Sequence, residues 1–352
     1  MLYIHQSTCI SSQHTFGSID IEALQPSLDG RLHITEPTPP AIPAGVLRRM
    51  GKAVKMSVTC ALPLLERPAT PEGIIIGTGN GGMEDSIQFL NQIIQYEEGM
   101  LTPGNFVQST ANAMAAQISM LTANRCYNTT HVHRGLAFEN ALLDAVMQAS
   151  ENSASLILLG AVDEISTYND NIERLAGGYK EGPVTNHELY TLDTPGSIAG
   201  EGAVMFLVSG NPAGANTAVP AIRTLHTTDE AEIKIQLIHF LDTSLPAGET
   251  VDWFLSGENG DNRLLKYYTA AESVLSANTG IARFKHMSGE YPTAVAMACW
   301  LACHIIETGE VPIHMRKRPT GQATAGPAKN VLIYNNYKGK QHSFILVSRP
   351  GR

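Results

Sequence analysis

Charge is scarce in this chain, and positive charge is the scarcer kind. Its 352 residues hold 24 Lys and Arg against 33 Asp and Glu, a formal net charge of -9. A field of that sign repels phosphate, which excludes nucleic acid or an anionic membrane surface as the main partner. The two small basic clusters, Arg48, Arg49, Lys52 and Lys55, and then Arg316, Lys317 and Arg318, read as solvated surface. Cysteine is thin as well: five residues, at 9, 60, 126, 299 and 303, form no CxxC pair and no regular framework. That excludes a disulfide scaffold and fits reduced thiols in a cytoplasmic protein. Long apolar runs are missing. The most apolar stretch, residues 294–306, is too short to span a bilayer, and residues 1–12 lack a basic start followed by an apolar run, so no membrane insertion is expected. Aromatics amount to 6% while glycine reaches 31 residues. This mix suits tightly packed α/β layers with close backbone approaches better than an all-β sandwich.

What is present alternates between strand-like and helix-like segments. A short opening strand leads into a loop through Pro37, Pro39, Pro40 and Pro43, then a helix over residues 46–65. Residues 73–77 (Gly-Ile-Ile-Ile-Gly) and 156–160 (Leu-Ile-Leu-Leu-Gly) are short apolar runs ending in glycine, the pattern of strands buried on both faces. Between them lie helices over 84–96 and 109–121, a strand over 125–132 and a helix over 135–148. Residues 170–193 read as irregular. The strand at 202–208 closes a first half, so the chain divides into residues 1–208 and 209–352. The second half holds helices at 229–242, 261–277 and 292–306, and strands at 251–255, 330–334 and 342–348. The fold class is α/β with a central sheet. No sequence repeat relates the halves.

Three groupings invite a chemical reading. Gly77-Thr78-Gly79-Asn80-Gly81-Gly82 satisfies G-x-G-x-x-G after an apolar strand. The acid that would hold a ribose belongs at the end of the next strand, however, and Glu97 and Glu98 follow a helix directly, so a structural glycine turn is expected. Cys299 and Cys303 share a helix face beside His304, but nothing completes a metal site and inert buried thiols are expected. His131 and His133 near the end of a strand are expected to be satisfied structural histidines, and no Gly-x-Ser-x-Gly elbow supplies a nucleophile. No cofactor and no metal are implied.

Six segments, in order and at fitting spacing, resemble the β-ketoacyl-acyl-carrier-protein synthases. They are Arg48-Arg49-Met50-Gly51, the strand and glycine turn from 73 to 82, Phe106-Val107-Gln108-Ser109-Thr110 with Asn112, Gly160-Ala161-Val162-Asp163-Glu164, Gly200-Glu201-Gly202-Ala203, and Lys285-His286-Met287-Ser288-Gly289-Glu290. The resemblance covers most of the chain. It implies a thiolase-like fold of two pseudo-symmetric halves in α/β/α/β/α layers. It also implies a site in which a cysteine at a strand-to-helix elbow takes the acyl chain and two histidines act on the malonyl unit.

Compared with that family, all three catalytic positions are changed. Counting back from Gly135 places Val132 at the cysteine position, and valine forms no thioester. Gly257 falls nearest the first histidine, with an offset of one or two residues left open. Glu290 stands at the second, while Lys285 keeps its place, so a Lys285–Glu290 ion pair filling the vestigial pocket is expected. The resemblance is therefore to chain-length-factor-like subunits, which pair with an active ketosynthase and shape its acyl tunnel, and among these to pigment clusters of the aryl-polyene or flexirubin type. The strand at 125–132 would pair across a dimer. Phe106, Met114, Ile118, Met120, His131 and His133 would border the tunnel or interface. An acyl carrier protein, itself acidic, would dock mainly through the partner. Two other readings remain: an active enzyme with a site rebuilt from His131, His133 or Glu290, and a homodimeric binding or scaffold protein.

Overall fold

Strands that must be covered on both faces set the architecture. Gly73–Thr78 and Ile157–Asp163 are buried along their whole length, as continuous apolar runs in an α/β sheet have to be. The computed structural model describes residues 1–37, 42–65, 70–321 and 328–351. Pro39 and Pro40 of the proline-rich loop lie outside the described residues. Up to residue 209 the elements are β1 (Leu2–Ile10), β2 (Arg31–Leu32), α1 (Ala44–Leu47), α2 (Lys52–Leu65), β3 (Gly73–Thr78), α3 (Met83–Gln95) and α4 (Pro103–Gln108). They continue with α5 (Ala113–Thr122), β4 (Tyr127–Val132), α6 (Ala137–Glu151), β5 (Ile157–Asp163), α7 (Thr167–Leu175), β6 (Ala199–Gly200) and β7 (Gly202–Ser209). Beyond it come β8 (Thr217–His226), α8 (Glu230–Ser244), β9 (Trp253–Ser256), α9 (Leu265–Glu272), β10 (Gly280–Arg283) and α10 (Lys285–Ser288). The chain ends with α11 (Val295–Thr308), β11 (Arg316–Arg318), β12 (Asn330–Tyr337) and β13 (Gln341–Ser348).

Eleven of these strands form one mixed sheet, in the order β11-β10-β9-β12-β13-β8-β1-β7-β5-β3-β4. Its middle is the short antiparallel contact of Leu2–Ile4 with Thr217–Val219. Outward from that seam the two sides repeat one pattern. On one side β1-β7-β5 pair antiparallel and β5-β3-β4 parallel. On the other β8-β13-β12 pair antiparallel and β12-β9-β10 parallel. The internal symmetry that the sequence does not display is thus written in strand order.

Three apolar cores give the layers. The largest lies between the two sides of the sheet and is built by α6 and by α11, a helix apolar all round with eleven of its fourteen residues buried, as an internal helix requires. A second core packs α2 and α5 on the outer face of the β3–β5–β7 side. A third packs α8 and α9 on the outer face of the β9–β12–β13 side. The five alternating helix and sheet layers implied by the resemblance are therefore present.

Some expectations needed correction. The segment expected to be irregular begins with α7, whose hydrophilic sequence hides it but whose start is capped by Ser166 Oγ, which accepts from the Asn169 amide at 3.0 Å. The helix expected over 109–121 is α5, which starts four residues later, with the separate short helix α4 before it, and the helix expected over 46–65 is divided into α1 and α2. β8 and β10, and the two- or three-residue β2, β6 and β11, were not expected. Among the described residues no helix is long and apolar enough to cross a membrane.

Candidate functional site

The glycine turn after β3 has no room for a phosphate, because the chain's own carboxylate already fills it. Asp163, at the end of β5, accepts from Thr78 Oγ1 (3.0 Å), from the Gly79 and Asn80 amides (3.0 and 2.9 Å) and from the Thr293 hydroxyl (2.8 Å). These are the amides that would cradle an anion. Burial raises the Asp163 carboxyl above its usual range, and the four donors pull the other way. The two cysteines of α11 are buried and their thiols are pushed up by desolvation, so they lack thiolate character. Among the described residues no cluster of three or more His, Cys, Asp or Glu side chains could hold a metal ion.

The Lys285-to-Glu290 segment is interlocked with the Gly200-Glu201-Gly202 segment. The Glu290 amide donates to Ile198 O (2.8 Å), and the Gly200 amide donates to Glu290 O (3.2 Å). A Cβ on Gly200 would lie 1.9 Å from Ser288 O, and one on Gly289, at φ +72°, would lie 2.5 Å from Gly200 Cα. Both positions need glycine for backbone contact alone. This clamp turns the Glu290 side chain toward Lys285, whose Nζ lies 3.0 Å from Glu290 Oε1; the lysine side chain is fully buried and that of the glutamate 14% exposed. The expected ion pair is present. The other carboxylate oxygen of Glu290 accepts from Asn259 Nδ2 at 2.9 Å.

Glu290 and Asn259 form part of the wall of a cavity of about 400 Å³, together with Asn80, Glu164, Tyr291, Pro292 and Tyr337. At its lip Lys338, in the β12–β13 turn, pairs with Glu173 of α7 at 2.6 Å. Glu164 carries a carboxyl pushed up to about 7, first by burial and then by Asp85. Gly257 does not line this cavity. Its amide donates to Tyr334 O at 2.8 Å, and a Cβ there would lie 2.7 Å from Asn335 Oδ1. The polar residue of that loop which reaches Glu290 is Asn259, two residues on, within the counting offset that the sequence leaves open.

Val132 ends β4, the last strand on this side of the sheet, and is 55% exposed. It pairs with Thr78 in register and does not line the cavity. The turn that follows is held by Arg134 at φ +51° and by Gly135, where a Cβ would lie 2.2 Å from the Tyr337 side chain. His131 Nε2 lies 2.9 Å from Asp144 Oδ2, and Tyr127 donates its hydroxyl to the same carboxylate at 3.0 Å. It is a satisfied histidine. His133 is exposed, its ring edge-on to His226 at 5.9 Å. Met114 and Ile118 are buried in the core between α2, α5 and the sheet, whereas Phe106 and Met120 are 61% and 66% exposed. None of these four lines the cavity. Counting along the sequence also passed over Glu139, a fully buried carboxylate on α6 whose Oε1 accepts from the Ser343 hydroxyl at 2.6 Å.

Comparison with known proteins bears on this arrangement. The family model described as the beta-ketoacyl synthase N-terminal domain matches residues 26–178. No curated protein matches the chain in sequence. Among solved structures, a type II polyketide synthase acyl carrier protein in complex with its ketosynthase is similar with a TM-score of 0.77 at 14% identity, over 99% of each chain. The ishigamide ketosynthase/chain length factor has a TM-score of 0.75 at 15% identity, also over 99% of each chain. The ketosynthase ApeO in complex with its chain length factor ApeC, from Xenorhabdus doucetiae, has a TM-score of 0.74 at 12% identity, over 99% of this chain and 98% of that one. At such identities the likeness establishes the fold: this is the thiolase-like architecture of the ketosynthases.

Proposed function

From a chain whose residues 26–178 match the beta-ketoacyl synthase N-terminal domain and whose fold is that of the ketosynthase structures throughout, we propose a non-catalytic, chain-length-factor-like subunit. It pairs with an active β-ketoacyl synthase and shapes the tunnel in which that partner extends a polyketide, polyene or fatty-acid-type chain. The observation that carries this reading is Val132. A hydrocarbon side chain stands at the end of β4, where the resemblance puts the acyl-accepting sulfur, and no hydrogen-bonding group replaces it. The second support is the wall of the cavity. Where the resemblance puts the two proton-handling imidazoles, Glu290 is bonded both to Asn259 and to Lys285, an arrangement that satisfies its own charges.

Partner and substrate follow from the same reading. β4 is a terminal strand of the sheet with half-exposed to exposed residues, and an unpaired edge of this kind is a template for a second chain. We propose that the partner's equivalent strand pairs with it, burying Val132 and Tyr127. Phe106 and Met120 then meet the partner's acyl pocket, while Met114 and Ile118 act on it through the packing of α5. With a net charge of -9, this chain leaves carrier-protein docking to the partner. The pigment type stays with the resemblance, aryl-polyene or flexirubin-like. Co-expression with a candidate ketosynthase tests the proposal. A stable heterodimer whose condensing activity vanishes when the partner's active-site cysteine is replaced supports it. Condensation or thioester hydrolysis by this chain purified alone overturns it.

A further inference from the structure

A fully buried carboxylate, Glu139, lies within electrostatic reach of a buried ammonium, Lys285, that the half-buried Glu290 already pairs. Lys285, fully enclosed, donates to Glu290 at 3.0 Å. Glu139 is fully enclosed as well. Its Oε1 accepts from Ser343 on β13, and its Oε2 has no hydrogen-bond partner. The charges that act on it come from the elements packed around α6. The Lys285 ammonium on α10 favours its ionised form, and Cys299 on α11 is a thiol that burial keeps neutral.

One ammonium cannot neutralise two carboxylates in a dry layer, and a carboxylate with a bare oxygen there takes up a proton rather than stay ionised. The geometry decides which of the two does so. Glu290 has the direct ammonium contact, the Asn259 amide and an edge on the cavity, whereas Glu139 has a single hydroxyl donor. We infer that Glu139 is a proton-holding site, a neutral acid whose ionisation draws Lys285 away from Glu290 and loosens the cavity wall that Glu290 shares with Asn259. Burial pushes the Glu139 carboxyl up to about 7 against the pull of Ser343 and Lys285, so the proton leaves close to neutrality. This inference concerns the charge of the three side chains and stands whether or not the chain pairs with a ketosynthase.

Infrared difference spectroscopy on the full chain tests it, comparing the wild type with Glu139→Gln between about pH 5 and about pH 9. The wild type is expected to show a carboxylic-acid carbonyl band, sensitive to deuteration, that disappears with a midpoint near 7 and is missing from the variant. Glu164 titrates in the same range, so only the difference between the two proteins carries the assignment. Identical spectra would overturn the inference. Ser343→Ala removes the side-chain hydrogen bond that favours the ionised form and leaves the charge count unchanged, so it shifts the midpoint upward. A midpoint that stays in place also overturns it.

Discussion

Removing the two acids one at a time and together measures how Lys285 is shared. At about pH 5, Glu139→Gln replaces a neutral acid with a neutral amide of the same shape. Its cost is the burial of one amide N–H without a partner, offset by the loss of an ionisable group from the unfolded chain, and no more than about 1–2 kcal/mol remains. Glu290→Gln takes the direct partner from an ammonium with no exposed surface. Glu139 is within electrostatic reach of that ammonium and can give up its proton to replace the missing charge, so this single change is expected to cost about 1–3 kcal/mol. With both acids gone Lys285 has no anion. The double variant should then lose at least about 3–5 kcal/mol, as a stranded buried charge does, with a coupling of about 1–3 kcal/mol beyond the sum of the single changes. Urea unfolding followed by circular dichroism gives all the terms, provided the slopes agree among the variants. Additivity to within about 0.5 kcal/mol would mean that Glu139 does not feel Lys285, and the sharing argument would fail.

Stability should also depend on pH in a defined direction. Glu139 is held above its ordinary 4.5 at about 7, so its contribution is complete below about 4.5, is lost as pH rises toward 7, and amounts to about 3 kcal/mol at roughly 1.4 kcal/mol per tenfold change in proton affinity. Glu139→Gln should flatten that part of the unfolding profile; a slope unchanged between wild type and variant refutes it. Val132→Cys should not create an acyl-enzyme. Intact-mass measurement after incubation with an acyl thioester is expected to show acylation no faster than at Cys126, the exposed native thiol, whereas selective acylation at position 132 would revive the rebuilt-enzyme reading. Gly200→Ala should destabilise the fold by about 3 kcal/mol or more, because its Cβ would lie 1.9 Å from Ser288 O; a melting temperature within about 2 °C of wild type would show that the clamp between the two segments gives way easily.

Where residues carry a two-sided burial signature, the sequence was legible. The apolar runs of β3 and β5 and the all-round apolar α11 announced themselves, because an element covered on every side has no polar face to display. α7 was missed for the opposite reason: of its nine residues only Asp170 is buried. β8 is half-exposed and contains Pro220, and β10 has only four residues, too few for a period to be read. At the site, Lys285 and Glu290 could be paired by counting, since only four residues separate them along a fixed glycine clamp. Asn259 could not be told from Gly257, because a loop of uncertain length has no internal ruler. Glu139 carries no local signal that sets it apart from the other charges on its helix. Its burial follows from the meeting of α6 with β13 and α10, a contact between segments more than a hundred residues apart that no local pattern encodes.

The acids in the family-like segments share one physical role, which is to hold the chain's own buried donors. Asp163 holds the amides of the glycine turn after β3. Glu164 accepts from the Ala53 amide in the first turn of α2 at 3.1 Å, where a carboxylate is favoured by the unpaired N–H groups. Glu201 accepts from the Ile34 and Ile165 amides at 3.0 and 2.8 Å and pairs with Lys52 at 2.7 Å. Glu290 completes the set on Lys285. Each of the four satisfies buried donors that would otherwise cost roughly 1–3 kcal/mol apiece, and none of those donors belongs to a substrate. Val132, by contrast, satisfies no donor and fills no buried space at the end of β4. The scaffold therefore depends on the acids and glycines and is indifferent to the residue at position 132.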